Sequence, residues 1–328
     1  MRPITNRLLL ATAISGSILV LFSVFSAKVL DYYGIGLFVA TPFVAGLALA
    51  MVAQTPWLRP IATVCAGSLG ALVGSGALML LTGFEGLICL LMAAPIVGLF
   101  LLAGTILVLV VQLWRGKKQA ASRSPGIVVL GMVLTLTLGM SAEPMLARTA
   151  PLRSVQTRVL IDAPIEEIWG AVVEFPPITS PPEGILAYGI AYPVSASIEG
   201  IGVGAIRRCT FNTGDFIEPI TVWAPPNQLG FDVAENAPPM EEWSPFGPID
   251  TSHLDGFIAV ERGQFQLQEQ EDGAVLLVGT TWYRQDLWPN VYWGAISDGI
   301  IHRIHQRVLE HIKAVSEQGR ASIPRTGV

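Results

Sequence analysis

The stretch YWGAISDGIIHRIHQRVLEHIKAV, residues Tyr292–Val315, decides how the second half of this chain folds. At about 100° per residue, one arc of a helix over this stretch carries five apolar side chains. These are Ile301, Ile304, Val308, Ile312 and Val315. The polar side chains Arg303, Gln306, Arg307 and Glu310 fall mostly on the opposite side. Because this stripe is wider than a coiled-coil seam, it predicts an amphipathic helix that lies across a curved sheet and closes a core or a cavity.

The segments before this helix show strand patterns separated by turn residues. Ser154–Asp162 alternates and is rich in β-branched residues, and Ala163-Pro164 then opens a short helix over Ile165–Glu174. Six further strands are predicted around Ala191–Ile198, Gly204–Phe211, Phe216–Trp223, Gln228–Val233, Phe257–Gln268 and Ala274–Tyr283. The order predicts an α+β domain in which an antiparallel sheet wraps around the final helix.

The first half has a different composition. The chain of 328 residues is 52% hydrophobic with a mean hydropathy of +0.55, and the excess lies between Leu8 and Leu146. A membrane-spanning helix needs about 20 mostly apolar residues. Five runs meet this length: Leu8–Val29, Ile35–Ala53, Ile61–Leu81, Gly86–Leu113 and Gly126–Leu146. We therefore predict an N-terminal all-α transmembrane bundle whose first helix is a retained anchor.

These patterns divide the chain into a multi-pass membrane domain over residues 1–147, an α+β domain over 148–318 and a disordered tail over 319–328. Lys and Arg cluster at the amino terminus and between residues 115 and 123. This bias places both segments in the cytoplasm and, with five spans, the α+β domain outside it, in the periplasm if the membrane is a bacterial inner membrane. If the fifth run only lies on the surface, the α+β domain returns to the cytoplasm. No charge lies at mid-span, so the bundle is interpreted mainly as an anchor.

The opening of the α+β segment, VLIDAPIEEIWGAVVEF, has an Ala-Pro step after the strand, then Trp169 and a closing Phe175. In this opening the segment resembles the START-like superfamily, also called SRPBCC or polyketide cyclase/dehydrase-like. Other matching pieces are a Gly-x-Gly with an Arg, a Gly-x-x-x-Glu turn and a Pro before the next strand: Gly202, Gly204, Arg207, Gly214, Glu218 and Pro226. The similarity covers about Ser154–Val315.

The resemblance implies a helix-grip fold, with a curved antiparallel sheet and a long C-terminal helix around an apolar cavity. Members of the superfamily bind lipids, sterols, polyketides or plant hormones, and some are cyclases or hydratases. No single catalytic motif unites them, so the resemblance transfers no catalytic residue. Most members lack membrane spans, and the helical half is a departure from them.

Three polar residues of the final helix are candidate catalytic residues. Asp298, His302 and His305 are spaced i, i+4, i+7, which puts them on one side of the helix. In a cavity, a histidine held by a carboxylate can act as a general acid–base. The alternative is a core histidine whose ring is satisfied by neighbours. No metal is expected, because two histidines and one aspartate leave the fourth ligand missing.

Aromatic residues concentrate just before that helix. Trp282, Trp288 and Trp293, with Arg284 and His305, are the candidate ligand-binding residues. The rings could line the cavity, sit at a bilayer interface or pack at the helix–sheet junction. Arg284 could meet a ligand head group or form a structural ion pair. The loop Ala237–Asp250 is predicted to be a lid, a membrane finger or a segment folded onto its own domain.

Several classes of function are excluded or disfavoured. The α+β half is acidic, which argues against nucleic acid as a partner. Phosphate loops, nucleophile elbows and HExxH motifs are absent, and no cofactor is expected. Three hypotheses remain: a membrane-tethered module that binds membrane lipids or another apolar molecule, a cyclase or hydratase, and a partner-binding platform. The binding module is preferred over the enzyme, and the sequence does not specify an oligomeric state.

Overall fold

The computed structural model describes residues 2–53, 60–115, 125–146, 149–249 and 256–322. The chain divides into two compact units. The first comprises Met1–Thr149 together with the short segments Glu242–His253 and Leu287–Tyr292. The second comprises Ala150–Glu241, Leu254–Asp286 and Trp293–Val328. Two short segments of the second half of the chain thus belong to the first unit.

The first unit is helical. Its α-helices are α1 (Arg2–Phe25), α2 (Thr41–Ala53), α3 (Pro60–Leu81), α4 (Leu87–Arg115) and α5 (Pro125–Ala142). Turns of π-helix extend α1 over Ser26–Leu30 and precede α2 over Gly36–Ala40. Five helical segments are long and apolar enough to cross a membrane: Asn6–Leu30, Gly36–Ala53, Ala62–Leu81, Leu87–Gln112 and Gly126–Leu146. They coincide with the five predicted runs.

Small residues bring α2 and α4 close together. A Cβ atom added at Gly46 would lie 2.0 Å from the carbonyl oxygen of Leu101, and one added at Gly104 would lie 2.1 Å from that of Phe43. Either addition would force the two helix backbones apart. This is the packing through small residues that is common between membrane helices.

Two glutamates cap helix starts within the first unit. Glu143 accepts hydrogen bonds from the amides of Ile35 (2.6 Å) and Gly36 (2.8 Å). Glu242 accepts from the amides of Ile88 (3.0 Å) and Cys89 (2.7 Å) in the first turn of α4. Carboxylates are favoured there because the first amides of a helix have no partner inside it.

Glu242 begins a short hairpin formed by β6 (Glu242–Ser244) and β7 (Gly247–Ile249). Trp243 and Phe246 of this hairpin are 54% and 72% exposed. The predicted loop Ala237–Asp250 is thus divided, since its first residues belong to the second unit and Asp250 lies outside the described residues.

The second unit contains a seven-stranded antiparallel sheet in the order β1-β9-β8-β5-β4-β3-β2. Its strands are β1 (Arg153–Ile161), β2 (Pro193–Glu199), β3 (Ile206–Phe211), β4 (Gly214–Ala224), β5 (Gln228–Asp232), β8 (Ile258–Glu269) and β9 (Val275–Gln285). The helices are α6 (Ile165–Val173) and the long α7 (Asn290–Ser322). A curled sheet with a long C-terminal helix is the helix-grip architecture, so this part of the fold prediction is confirmed.

Breaks in strand register help the sheet to curl. They lie between Pro193 and Ser195, between Ile220 and Val222, and between Val260 and Arg262. A bulge of this kind bends its strand and increases the local twist. The sheet can therefore curve towards α7.

The core lies between the concave face of this sheet and the apolar side of α7. Val308 and Ile312 of the helix are buried against sheet residues such as Leu277, as the helical pattern predicts, and Leu309, which lies outside the predicted stripe, is buried with them. A Cβ atom added at Gly279 would lie 3.5 Å from Leu309, which is an ordinary contact distance, so α7 packs closely over this strand. Residues 319–322, assigned to a disordered tail by the sequence analysis, continue the helix, and residues 323–328 lie outside the described residues.

Candidate functional site

A cavity of about 120 Å³ lies between the concave face of the sheet and α7. Its wall is mostly apolar and includes Phe211, Phe216, Phe231, Phe265, Ile301 and Ile304. Cavities of about 150 Å³ hold benzene, whereas pockets for drug-sized ligands measure about 300–1,000 Å³. The cavity therefore has room for about one ring.

Strand alternation places the aromatic residues around this space. The rings of Phe211 and Phe216, on the paired strands β3 and β4, have centroids 4.7 Å apart. Those of Phe231 and Phe265, on β5 and β8, are 6.2 Å apart. These rings give the wall flat apolar surfaces suited to stacking against an unsaturated or cyclic group.

A buried ion pair forms the polar part of the wall. Arg207 on β3 lies opposite Glu218 on β4, and their side chains are bonded through Nη1 and Oε2. The two residues are 1% and 6% exposed. Arg207 Nε also donates to the carbonyl of Val173 (3.1 Å), and its guanidinium lies 5.6 Å from the ring centroid of Phe231. Burial raises the pKa of Glu218, and the Arg207 charge opposes this shift.

Cys209 lines the same cavity and is buried. Burial raises the pKa of its thiol to about 12, and the neighbouring Glu218 adds to the shift. The thiolate is the nucleophilic form of cysteine, so this side chain stays protonated and unreactive at neutral pH. It acts as a small apolar wall residue.

His305 is the candidate residue that reaches the cavity. Its Nε2 lies 2.7 Å from the Thr281 hydroxyl, and its Nδ1 lies 3.1 Å from the Thr157 hydroxyl. His302 approaches the same Thr157 hydroxyl with its Nδ1 at 2.7 Å. Burial lowers the pKa of His305 to about 4, and the nearby His302 contributes. The His305 ring is therefore neutral at pH 7.

Asp298 does not hold either histidine. Its carboxylate is bonded to Arg153 and accepts a hydrogen bond from the Tyr283 hydroxyl at 2.7 Å. Burial and the Asp298 charge both raise the pKa of Tyr283. The structure replaces the suggested Asp–His pair with an Arg153–Asp298–Tyr283 cluster that joins β1, β9 and α7.

Two of the candidate ligand-binding residues face away from the cavity. Thr281 and Tyr283 of β9 point towards α7, so the alternate residues Trp282 and Arg284 lie on the other face of the sheet. The Trp282 ring lies under Arg262, with the guanidinium carbon 4.6 Å from its centroid. Arg284 is bonded to Glu261 and to the carbonyl oxygen of Ala150 (2.6 Å). Arg284 therefore makes an ion pair there.

The remaining two tryptophans are also absent from the described cavity wall. Trp293 is buried near the start of α7, with 5% exposure. Trp288 belongs to the first unit, where its amide donates to the carbonyl of Tyr33 at 2.9 Å. Of the five proposed ligand-binding residues, His305 alone lines the cavity.

On the outer side of β1 and α7 the second unit has an open, mainly polar groove. Its wall includes Gln156, Thr157, Arg158, His302, Gln306 and Glu310. The hydrogen bonds of His305 thus extend from the cavity to this groove. Among the described residues, no group of three or more His, Cys, Asp or Glu side chains is arranged to hold a metal ion.

Comparison with known proteins gives matches in structure. No family model matches the chain, and no curated protein is similar to it in sequence. Norcoclaurine synthase from Thalictrum flavum is 12% identical with a TM-score of 0.34, over 53% of this chain and 99% of its own. The Zhui aromatase/cyclase from Streptomyces sp. R1128 is 14% identical with a TM-score of 0.34, over 54% and 100%.

The Aha1 dimer from Colwellia psychrerythraea is 16% identical with a TM-score of 0.30, over 51% of this chain and 98% of its own. All three cover the C-terminal half of the chain, in which the sequence resemblance lies. At these identities the similarity concerns the fold alone. The fold itself is established by the sheet order and by the position of α7.

Sequence reasoning missed most residues of the site. The sequence identified Arg207 and Glu218 only as motif residues of the family resemblance. It did not predict that they line the cavity. Thr157 and Thr281 gave no signal, since a threonine in a strand is ordinary. Period-two alternation from the buried Tyr283 would have placed Thr281 on the inner face and Trp282 on the outer face.

Proposed function

We propose that the second unit is a membrane-tethered module that binds a lipid-like or other apolar small molecule. One observation carries this proposal: a mostly apolar cavity with aromatic walls lies between the sheet and α7, and its polar lining residues are Arg207, Glu218, Gln264, Thr280, Thr281 and His305. A partner-binding platform would not need such a space. The names of the similar structures, a synthase and an aromatase/cyclase, are in keeping with a small-molecule site.

The size of the cavity limits how a ligand binds. A volume of about 120 Å³ accepts one ring or the end of a chain, so a whole lipid requires the cavity to widen. The partly exposed Ile301 and Ile304 of α7 form one wall. A ligand with one compact apolar end and one polar group suits this wall best.

The apolar helices of the first unit would hold this module at a membrane. In our proposal they span a bacterial inner membrane, with the amino terminus in the cytoplasm and the second unit in the periplasm. Apolar ligands concentrate in lipid, so tethering raises the concentration that the cavity meets. Reporter fusions after residue 116 and after residue 149 test the topology, because five spans require opposite locations for the two.

The binding proposal is tested by extracting the full chain from membranes with a styrene–maleic acid copolymer and analysing the bound small molecules by mass spectrometry. Ile304→Phe fills the cavity, whereas Ile201→Phe makes the same change at a position that is 87% exposed. We expect one apolar compound in near-stoichiometric amount in the wild type and in Ile201→Phe, and at least about tenfold less in Ile304→Phe. Equal amounts in all three proteins, or none, would contradict the proposal.

A cyclase or hydratase is the second candidate, favoured by the position of His305 in the wall. A neutral imidazole with a lowered pKa can accept a proton from a bound substrate. Once the ligand is identified, its turnover by the wild type is compared with that by His305→Gln. A loss of about a hundredfold with unchanged binding supports the enzyme, and unchanged turnover rules out this role.

A further inference from the structure

Four side chains form a continuous hydrogen-bonded chain from the polar groove to the cavity. His302 Nδ1 lies 2.7 Å from Thr157 Oγ1, which lies 3.1 Å from His305 Nδ1. His305 Nε2 lies 2.7 Å from Thr281 Oγ1, on the cavity wall. His302 is exposed and Thr157 is 5% exposed, so one end of the chain meets solvent while its middle is buried.

The hydrogen atoms of this chain can be arranged in two consistent ways. A hydroxyl has one proton to donate, and a neutral imidazole has one N–H and one acceptor nitrogen. In the inward arrangement, His302 donates to Thr157, Thr157 donates to His305 Nδ1, and His305 Nε2–H donates to Thr281. In the outward arrangement every donor and acceptor is exchanged. Within the described residues, the Thr157 hydroxyl has hydrogen bonds to these two rings and to no third group.

The charge of His302 decides between the two arrangements. A charged imidazole has an N–H on both nitrogens, so its Nδ1 can only donate to Thr157. The Thr157 proton then points to His305 Nδ1, and the single proton of the neutral His305 sits on Nε2. His302 takes up one proton from solvent, and His305 keeps one proton that changes its nitrogen. The Thr281 hydroxyl, now an acceptor from His305, has its own proton available to the cavity.

We propose that protonation of His302 switches Thr281 into a hydrogen-bond donor towards the cavity, so that the domain prefers apolar ligands with an acceptor group, such as a carbonyl or nitrile, when His302 is charged. The ligand part of this inference rests on the proposed binding function of the same cavity. The proton arrangement is a property of the unliganded protein. The low pKa of His305 supports it, because that ring stays neutral while His302 is protonated.

The charged or titratable groups near the two histidines are Arg158 and Glu310 at the groove, the bonded cluster of Arg153, Asp298 and Tyr283, and Arg207, Glu218 and Cys209 at the cavity. Asp298 and Glu218 are each paired with an arginine. Arg158 and Glu310 carry opposite charges at the groove, so they partly offset each other at His302.

The test of the switch is nitrogen NMR of the full chain in detergent micelles with ¹⁵N-labelled histidine. The chain contains four histidines, which keeps the imidazole spectrum simple, and His302→Gln assigns the pair. On titration from pH 8 to pH 5, we expect the population of the Nε2–H tautomer of His305 to rise in step with protonation of His302. It should reach about a tenfold excess over the Nδ1–H tautomer. Thr157→Ser keeps the hydroxyl and should keep this response.

Thr157→Val keeps the shape of the side chain and removes the hydroxyl, so the His305 tautomer should no longer follow His302. The proposed switch would be refuted if the His305 tautomer followed His302 in Thr157→Val as it does in the wild type. It would also be refuted if the tautomer stayed constant in the wild type. Thr157→Ser also guards against misfolding as an explanation, because it changes the same buried position.

The ligand preference is measured separately with two probes of similar shape. Benzonitrile carries an acceptor, and toluene has no hydrogen-bonding group. We expect the affinity ratio of benzonitrile to toluene to rise several-fold from pH 8 to pH 5 in the wild type and to stay constant in Thr157→Val. A constant ratio in the wild type refutes the ligand preference. Failure of both probes to bind contradicts the proposed function, while the NMR result still decides the proton arrangement.

Discussion

Separating the buried ion pair is the sharpest test of how the cavity is built. Arg207 and Glu218 are almost fully buried, so a charge that loses its partner has no access to water. Removing one partner of such a pair typically costs about 3–5 kcal/mol, whereas replacing both with apolar residues is often neutral or stabilising. We therefore expect Glu218→Leu and Arg207→Met each to destabilise the second unit by about 3–5 kcal/mol. The double variant should lie within about 1 kcal/mol of the wild type.

Cys209 provides the assay for these variants. Its thiol is buried and its pKa is raised, so it reacts with a thiol reagent only when the second unit opens. In a Cys65→Ser, Cys89→Ser background, the labelling rate then reports the free energy of opening. A loss of about 3–5 kcal/mol predicts a labelling rate about 10²·²- to 10³·⁷-fold higher. Single variants that label less than about fivefold faster would show that the pair is not isolated from solvent, and the reasoning would be wrong.

Three further predictions concern other parts of the molecule. The wild type should lose roughly 3 kcal/mol of stability as the pH falls from about 6.5 to 4, because the unfolded chain binds a proton at His305 that the folded ring does not. His305→Gln should abolish this loss, as measured by urea unfolding at each pH. Gly263→Ala should destabilise by about 1–3 kcal/mol in the same assay, since its Cβ would lie 2.6 Å from the Phe231 ring, while Gly279→Ala should change little. Glu242→Ala should lower the melting temperature by a few degrees through loss of the α4 cap, with the exposed Glu241→Ala as control.

Much of the fold could be predicted because its helices and strands follow from local sequence patterns. The apolar stripe of the last helix, the alternating strands and the five apolar runs each follow from side-chain period and length. The helix-grip arrangement of the curved sheet was implied by a resemblance, and the order of the strands was not predicted, since register breaks such as that between Val260 and Arg262 leave no mark in a single sequence.

The site was harder to predict, because its contacts join residues far apart in the chain. His305 was found from its position on the helix, but its partner Thr157 lies 148 residues earlier. Asp298 was grouped with His302 and His305 by helical spacing, although its partner is Arg153, 145 residues away. Trp282 and Arg284 were grouped by their proximity along the strand, where neighbouring residues face opposite sides.

The cap that Glu242 supplies to α4 also sets an order of events during synthesis. When α4 leaves the ribosome, the carboxylate that pairs with its Cys89 amide lies 153 residues further along and has not been made. Strands β1 to β5 must be translated before that residue appears. Assembly of the first unit is therefore completed late, and in a chain cut before Glu242 two α4 amides still lack their acceptor.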